Sequence, residues 1–176
     1  MLNQVRGQVW IETVVYTLIA FIMIGSVLAF VKPEIEKIQD KAVIDQSSEM
    51  LNDINNIILD IGVPGNQRLI EVGLKKGNLK IDGAGDKLIF EIESLYEYSE
   101  PGENVSKVDG GIVAFTESQG KYNLITLTRD YGEAYNLTFD GQDSLKTITK
   151  SSTAYKLLIS NEGEIANKIT INMEVN

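Results

Sequence analysis

The longest uncharged segment of this chain constrains its fold more than any other feature. Nineteen residues without a charge run from Thr13 to Val31. At 1.5 Å per residue, a helix of that length extends roughly 28 Å, which matches the hydrocarbon thickness of a bilayer. Glu12 stands immediately before this segment. A carboxylate next to hydrocarbon is expensive and is usually retained for a function.

A cleaved secretory signal does not fit this segment, because its apolar part has about 7–15 residues and a small-residue cleavage site follows it. Here the residues after Val31 are Lys32-Pro33-Glu34-Ile35-Glu36-Lys37. A plain signal anchor does fit. Arg6 precedes the segment and the acidic bulk follows it, so the positive-inside rule predicts an N-terminus in the cytoplasm. In such an anchor Glu12 would lie at headgroup level.

The composition excludes several function classes. The net charge is −9, and no basic patch is present to bind phosphates, so we expect no nucleic-acid partner. The chain has neither cysteine nor histidine. It therefore lacks the thiolate ligands and the commonest general base and metal ligand. We expect no catalytic residues, no metal site and no cofactor, and no enzymatic activity.

The motif around the start of the apolar segment resembles the processing region of type IV pilin precursors. Gly7-Gln8 is followed by Glu12 and the uncharged run, which is especially similar to the archaeal class III signal peptides with glutamine at the first mature position. The leader has one basic residue, and Trp10 stands where many relatives carry a small residue. The resemblance covers residues 1 to about 60. It implies cleavage between Gly7 and Gln8, so that 1–7 is a leader and the apolar helix stays in the mature protein.

Gln8 and Glu12 are four residues apart and share one helix face. The resemblance implies that Glu12 pairs with the freed amine of Gln8 on a neighbouring subunit. Unpaired, the buried carboxylate would cost several kcal/mol. The resemblance also implies that apolar side chains of this helix pack in the filament core, and we expect these to be Val15, Leu18, Ile22, Leu28, Ile35 and Ile38.

Helical periodicity continues beyond the uncharged run. Apolar residues at Val31, Ile35, Ile38 and Ala42, then at Leu51, Ile54, Ile58 and Ile61, predict one amphipathic stripe. The helix is expected over residues 8–61, with a kink at Gly25 and Pro33. Gly62-Val63-Pro64-Gly65 is expected to end it.

Residues 66–176 switch to the period of two that is typical of strands. Turn residues separate the apolar runs, and the stretch from Tyr96 to Lys107 and the triplet Asn161-Glu162-Gly163 are expected to be a loop and a turn. The fold class predicted is α+β, a long kinked helix followed by an all-β head that is a sandwich or a partly closed barrel. We expect nine strands: Arg68–Leu74, Asn78–Ile81, Lys87–Glu93, Gly111–Thr116, Lys121–Thr128, Ala134–Phe139, Leu145–Thr149, Ala154–Ser160 and Lys168–Val175.

Local motifs in this part of the chain offer little chemistry. Asn104 and Asn136 begin acceptor triplets for N-glycosylation, the first in a predicted loop and the second in a predicted strand. Asp82-Gly83-Ala84-Gly85-Asp86 predicts a hairpin turn. The acidic residues Asp45, Glu49 and Asp53 repeat every four positions, which favours a solvated helix face over a metal site.

Together these features predict a structural subunit of an extracellular type IV pilus-like filament, with adhesion as its role. The resemblance implies as partners identical subunits, a prepilin-type peptidase and a membrane assembly platform. The precursor would lie in the cytoplasmic membrane. Three alternatives stay open: a monomeric membrane-anchored surface binding domain, a subunit of an archaeal swimming filament, and a minor pilin or pseudopilin.

Overall fold

A computed structural model describes residues 2–106 and 111–175, with side chains from residue 10 onward. The outer limits of the predicted leader and head, Met1 and Asn176, and the predicted loop end at Lys107 lie outside these residues. The chain divides into two units, residues 1–38 and 39–176. One helix, α1 (Leu2–Asp60), contributes to both units, and each unit is described by itself.

The second unit contains ten strands and the last third of α1. Runs of alternating apolar and polar residues separated by turn residues form these strands, as period-two patterning requires. Their bounds are β1 (Gln67–Val72), β2 (Asn78–Asp82), β3 (Lys87–Ser94), β4 (Asn104–Ser106), β5 (Ile112–Gln119), β6 (Tyr122–Asp130), β7 (Tyr135–Phe139), β8 (Leu145–Thr149), β9 (Tyr155–Ile165) and β10 (Lys168–Val175).

The strands form two sheets, so the predicted α+β class is confirmed. One sheet has the order β1-β9-β10-β7, and the other has the order β4-β5-β6-β3-β2-β8. All neighbours are antiparallel except β7 and β10, which pair in parallel from Ile169 opposite Tyr135 to Met173 opposite Phe139. Because β7 precedes β10 by three strands in the chain, this pair ties distant parts of the head together.

Side chains from both sheets and from α1 share one hydrophobic core. Phe90 on β3 and Ile159 on β9 are fully buried, as are Leu51 and Ile54 on the helix. Each such side chain contributes about 1.5–3 kcal/mol by leaving water. The helix is therefore part of the core of this unit from Ile44 onward.

The predicted single stripe along the helix is correct only in its second half. Leu51, Ile54, Ile58 and Ile61 are buried, but Ala42 is exposed and Ile44 is buried instead. Ile44 precedes Leu51 by seven residues, or about two turns, and so lies on the same face. Ala42 precedes Leu51 by nine residues and lies on another face.

Side-chain amides close the C-terminal end of α1. The helix ends at Asp60, one residue before the predicted end, and Gly62 has the left-handed backbone expected of a C-terminal cap, with φ of 74°. Asn66 Nδ2 donates to the carbonyl of Ile61 at 2.8 Å, and Asn161 Nδ2 donates to the carbonyl of Gly62 at 2.7 Å. These bonds satisfy carbonyls that have no partner inside a helix. Upstream, the helix continues through Gly25 and Pro33.

Two predictions for the head were wrong. The stretch expected to be a loop contains β4, which pairs antiparallel with β5 from Asn104 opposite Phe115. The triplet expected to be a turn, Asn161-Glu162-Gly163, lies inside β9, where Glu162 is left out of the pairing with β10 as a bulge. The chain reverses instead at Ala166 and Asn167, which both have positive φ.

Candidate functional site

The helix of the first unit presents an apolar surface around its whole circumference. Fifteen large apolar side chains between Trp10 and Val31 are exposed, and none of the side chains described in residues 10–38 is buried. Successive positions such as Phe21, Ile22, Met23 and Ile24 are all apolar, so every face of the helix is covered. A helix that is apolar all round belongs in a membrane or inside a larger protein core.

Two hydroxyl side chains within this surface donate hydrogen bonds to carbonyls of the helix itself. Thr17 Oγ1 donates to the carbonyl of Thr13, and Ser26 Oγ donates to the carbonyl of Ile22, each at 2.8 Å. Such bonds let a hydroxyl enter hydrocarbon without losing its partner. Among the described residues, α1 is the one helix that is long and apolar enough to cross a membrane.

The residues predicted to pack in a filament core all lie on this surface. Their side chains are exposed in the single chain, as listed in order along the helix: Val15, Leu18, Ile22, Leu28, Ile35 and Ile38. Within the chain they have no core to enter. Their packing against another subunit stays a prediction, as does the kink at Gly25 and Pro33.

The predicted cleavage position lies within helical backbone. The helix begins at Leu2, so Gly7 and Gln8 are part of it, although their side chains lie outside those described. Glu12 is exposed. A continuous helix places Gln8 and Glu12 about one turn apart on one side. Cleavage and pairing both stay predictions.

The exposed apolar surface extends past the uncharged run. Ile35 and Ile38 are 49% and 70% exposed. They lie among charged residues, including Glu34 and Lys37, which form an ion pair at 2.8 Å. At this level in the chain the helix is thus amphipathic, with apolar side chains that a bilayer of ordinary thickness would leave in water.

The two glycosylation candidates differ in access. Asn104 is exposed on the edge strand β4, and Ser106 of its triplet is exposed as well. Asn136 lies in β7, as predicted, and is partly buried, while Thr138 of its triplet is buried and donates to Asn172 Oδ1 at 3.1 Å. Asn104 is therefore the more accessible acceptor.

Two acidic motifs of the second unit lie at defined positions, one on α1 and one between β2 and β3. Asp45, Glu49 and Asp53 are exposed along the outer face of α1. The predicted hairpin turn at 82–86 is confirmed between β2 and β3, and Asp82 Oδ1 accepts the N–H of Gly85 at 3.1 Å. Within residues 2–106 and 111–175, no group of three acidic side chains is arranged to hold a metal ion.

The sequence did not indicate a pocket in the head. It is lined by Asn55 of α1, Arg129 at the end of β6 and Tyr131 in the following loop, among others. These residues come from separate elements, and none belongs to a recognisable motif. No sequence signal could have brought them together.

Comparison with models of protein families, with curated proteins and with solved structures finds no match to this chain.

Proposed function

We propose that this chain is a structural subunit of an extracellular type IV pilus-like filament, assembled through its N-terminal helix after the leader is removed. The observation that carries the proposal is the helix of residues 10–38, whose side chains are exposed and largely apolar in a chain that also has a folded acidic head. Burying one large apolar side chain contributes about 1.5–3 kcal/mol. Fifteen such side chains on one segment of helix require either a membrane or a bundle of like helices.

Ile35 and Ile38 favour the bundle. They are exposed beyond the uncharged run, next to the ion pair of Lys37 with Glu34. A monomeric anchor would leave both isoleucines in water. Neighbouring helices in a filament would cover them, and would also provide the charged neighbours that the surrounding polar residues need.

Glu12 fits the same arrangement. It is the one charged residue in the stretch from residue 10 to Val31. In a bundle without water its carboxylate requires a cationic partner, because breaking a buried charge pair costs about 3–5 kcal/mol. The N-terminal amine exposed by cleavage before Gln8 would supply that cation from an adjacent subunit and would set the axial register.

The experiment compares Ile38→Glu with Ile165→Glu in cells that process and export the subunit. Ile165 is 64% exposed at the end of β9 in the head. We expect Ile38→Glu to insert in the membrane normally and to yield no filaments in sheared fractions seen by electron microscopy. The control variant should assemble as the unaltered chain does. Normal filaments from Ile38→Glu would contradict the proposal.

A monomeric membrane-anchored surface domain is the second candidate. The uncharged run, roughly 28 Å long as a helix, matches a bilayer without any partner helix. That function predicts no polymer in any fraction and an intact Met1. A swimming filament and a minor pilin would use the same helix surface, so they are alternatives within the proposed class. Adhesion is the role we assign to the exposed head.

A further inference from the structure

Large apolar side chains recur along one side of the N-terminal helix with a regular period. From Phe21 to Ile38 they follow alternate spacings of three and four residues. This spacing averages 3.5 residues and is the a and d pattern of a left-handed coiled coil. The side chains at these positions form the heptad seam, and each is at least 43% exposed: Phe21, Ile24, Leu28, Val31, Ile35 and Ile38.

The C-terminal end of the heptad seam lies where lipid cannot cover it. From Lys32 to Ile38 the positions outside the seam hold charged residues and Pro33, whereas both seam positions hold isoleucine. Ile38 lies seven residues, or about 10 Å, beyond the uncharged run. The headgroup layer adds only about 5–8 Å on each side of the hydrocarbon. A protein surface rather than lipid is therefore what can cover Ile38.

A socket for a facing side chain is formed on the line of the heptad seam. A depression of about 290 Å³ is lined by Thr13, Val14, Thr17, Leu18 and Phe21. Val14 and Thr17 continue the three-and-four spacing of the seam toward the N-terminus. In a coiled coil each knob side chain enters a hole bounded by four residues of the facing helix. Val14, Thr17, Leu18 and Phe21 bound such a hole. The Thr17 hydroxyl is bonded to the carbonyl of Thr13, so an apolar knob can enter it.

The charged residues of this unit are placed so that copies can meet at the heptad seam. Lys32 and Glu34 occupy e and g, the flanking positions that coiled coils commonly fill with Lys and Glu. Glu36 and Lys37 occupy b and c, and Glu12 occupies f, which is the position farthest from a and d. Copies that meet at the seam therefore do not bring identical charges together.

We propose that the heptad seam packs against the same seam of other copies of this chain, in a parallel bundle that forms in the membrane before any filament. The copies are parallel because identical chains insert with the same topology. They are in register because the bilayer holds every uncharged run at the same depth. Leu or Ile at position a with Ile at position d favours roughly three or four strands over two. The bundle requires only that the helix enters a membrane, and it differs from the staggered contact of Gln8 with Glu12 that a filament would use.

Disulfide cross-linking in phosphatidylcholine vesicles tests the bundle, since the chain has no cysteine of its own. Purified full chains carry one cysteine each, either on the heptad seam or at an off-seam position of similar depth. After mild oxidation, the covalent dimer yield of Leu28→Cys and Val31→Cys should exceed that of Ser26→Cys and Phe30→Cys at least about fivefold. Both seam positions lie well away from the bilayer midplane, so identical residues meet only between parallel helices in register. Equal yields at the four positions, or no dimer at any, would overturn the proposal.

A second substitution tests whether the cross-link depends on the seam itself. In the Val31→Cys chain, Ile35→Ala removes a seam side chain one turn away and should lower the dimer yield at least about threefold. Glu36→Ala, at position b, should leave the yield unchanged. An unaltered yield from Ile35→Ala would refute seam packing.

The number of chains in the bundle is measured separately. Sedimentation equilibrium in a density-matched detergent should give the mass of roughly three or four chains. The mass of one or two chains would contradict the bundle. The vesicles and the detergent contain neither peptidase nor assembly platform, so failure of the bundle and failure of the proposed filament are separate results.

Discussion

Asp40 is the most deeply buried carboxylate described in the second unit, and its removal should reveal a strong coupling with Lys76. Asp40 is 2% exposed. Its Oδ1 lies 2.5 Å from Lys76 Nζ, and its Oδ2 accepts the N–H of Leu95 at 2.9 Å. The side chain thus fastens α1 to the β1–β2 turn and to the end of β3.

The magnitudes follow from the exposure of the two partners. In Lys76→Met the carboxylate stays buried with a single N–H donor, which should cost about 2–3 kcal/mol. In Asp40→Asn the amide oxygen still accepts from Leu95, and the Lys76 side chain, 39% exposed, returns to water. That change should cost about 1 kcal/mol. The double variant should also cost about 1 kcal/mol, because neither charge remains, so the coupling is about 2–3 kcal/mol.

Denaturation of the full chain in detergent measures these free energies of unfolding. The single tryptophan, Trp10, lies in the first unit, whereas six of the seven tyrosines lie in the head. Near-ultraviolet circular dichroism of tyrosine therefore follows mainly the head. If the effects of the two single variants add up to the effect of the double variant within about 0.5 kcal/mol, the ion pair does not fasten the helix and the reasoning fails.

Three further predictions concern the head. Asn161→Ala removes the donor to the Gly62 carbonyl and should lower the free energy of unfolding by about 2 kcal/mol in urea titrations; no change would contradict its capping role. Ala166→Asn with Asn167→Gly suits a turn with two positive φ angles and should raise the melting temperature, whereas a lower one would refute the turn type. Burial raises the pKa of Tyr98 to about 12, with Asp45 contributing. The contribution of neutral Tyr98 to stability is then fully present below pH 10 and is lost as the pH rises from 10 to 12. The free energy of unfolding of Tyr98→Phe should therefore fall less steeply over this range than that of the unaltered chain.

Local pattern predicted the parts of the fold that depend on neighbouring residues. In β3 the apolar residues Leu88, Phe90 and Ile92 alternate with polar or partly exposed ones, and all three are buried. The end of α1 was predictable because Gly62 and Pro64 stop a helix by their own geometry. These features need no knowledge of distant partners.

The features that the sequence pattern did not predict depend on pairing between strands that are distant in the sequence. Gly163 has φ of 100°, which a turn and a bulge both require. Its pairing opposite Thr170 on β10, with Asn161 opposite Ile171, leaves Glu162 as the bulge. The strand β4 has three residues, too few to show a period, and it exists because β5 lies beside it.

The sequence predicted that the N-terminal helix has an apolar surface, but not what covers that surface. Its sequence shows that residues 13–31 avoid charge, and the structure leaves them exposed. The stripe prediction placed Ala42 with Leu51 because each half is regular by itself. The buried face of α1 includes Ile44 and not Ala42, because that is the face on which the strands pack. Residues near Ala42 in the sequence carry no information about this packing.

The N-terminal residue of subunits recovered from sheared extracellular material tests the central claim most directly. The account predicts a chain that begins at Gln8, in a fraction that shows filaments by electron microscopy. Its free amine would then be available to Glu12 of a neighbouring subunit. A chain that retains Met1 and is found only in membranes would contradict the account and favour a monomeric anchor.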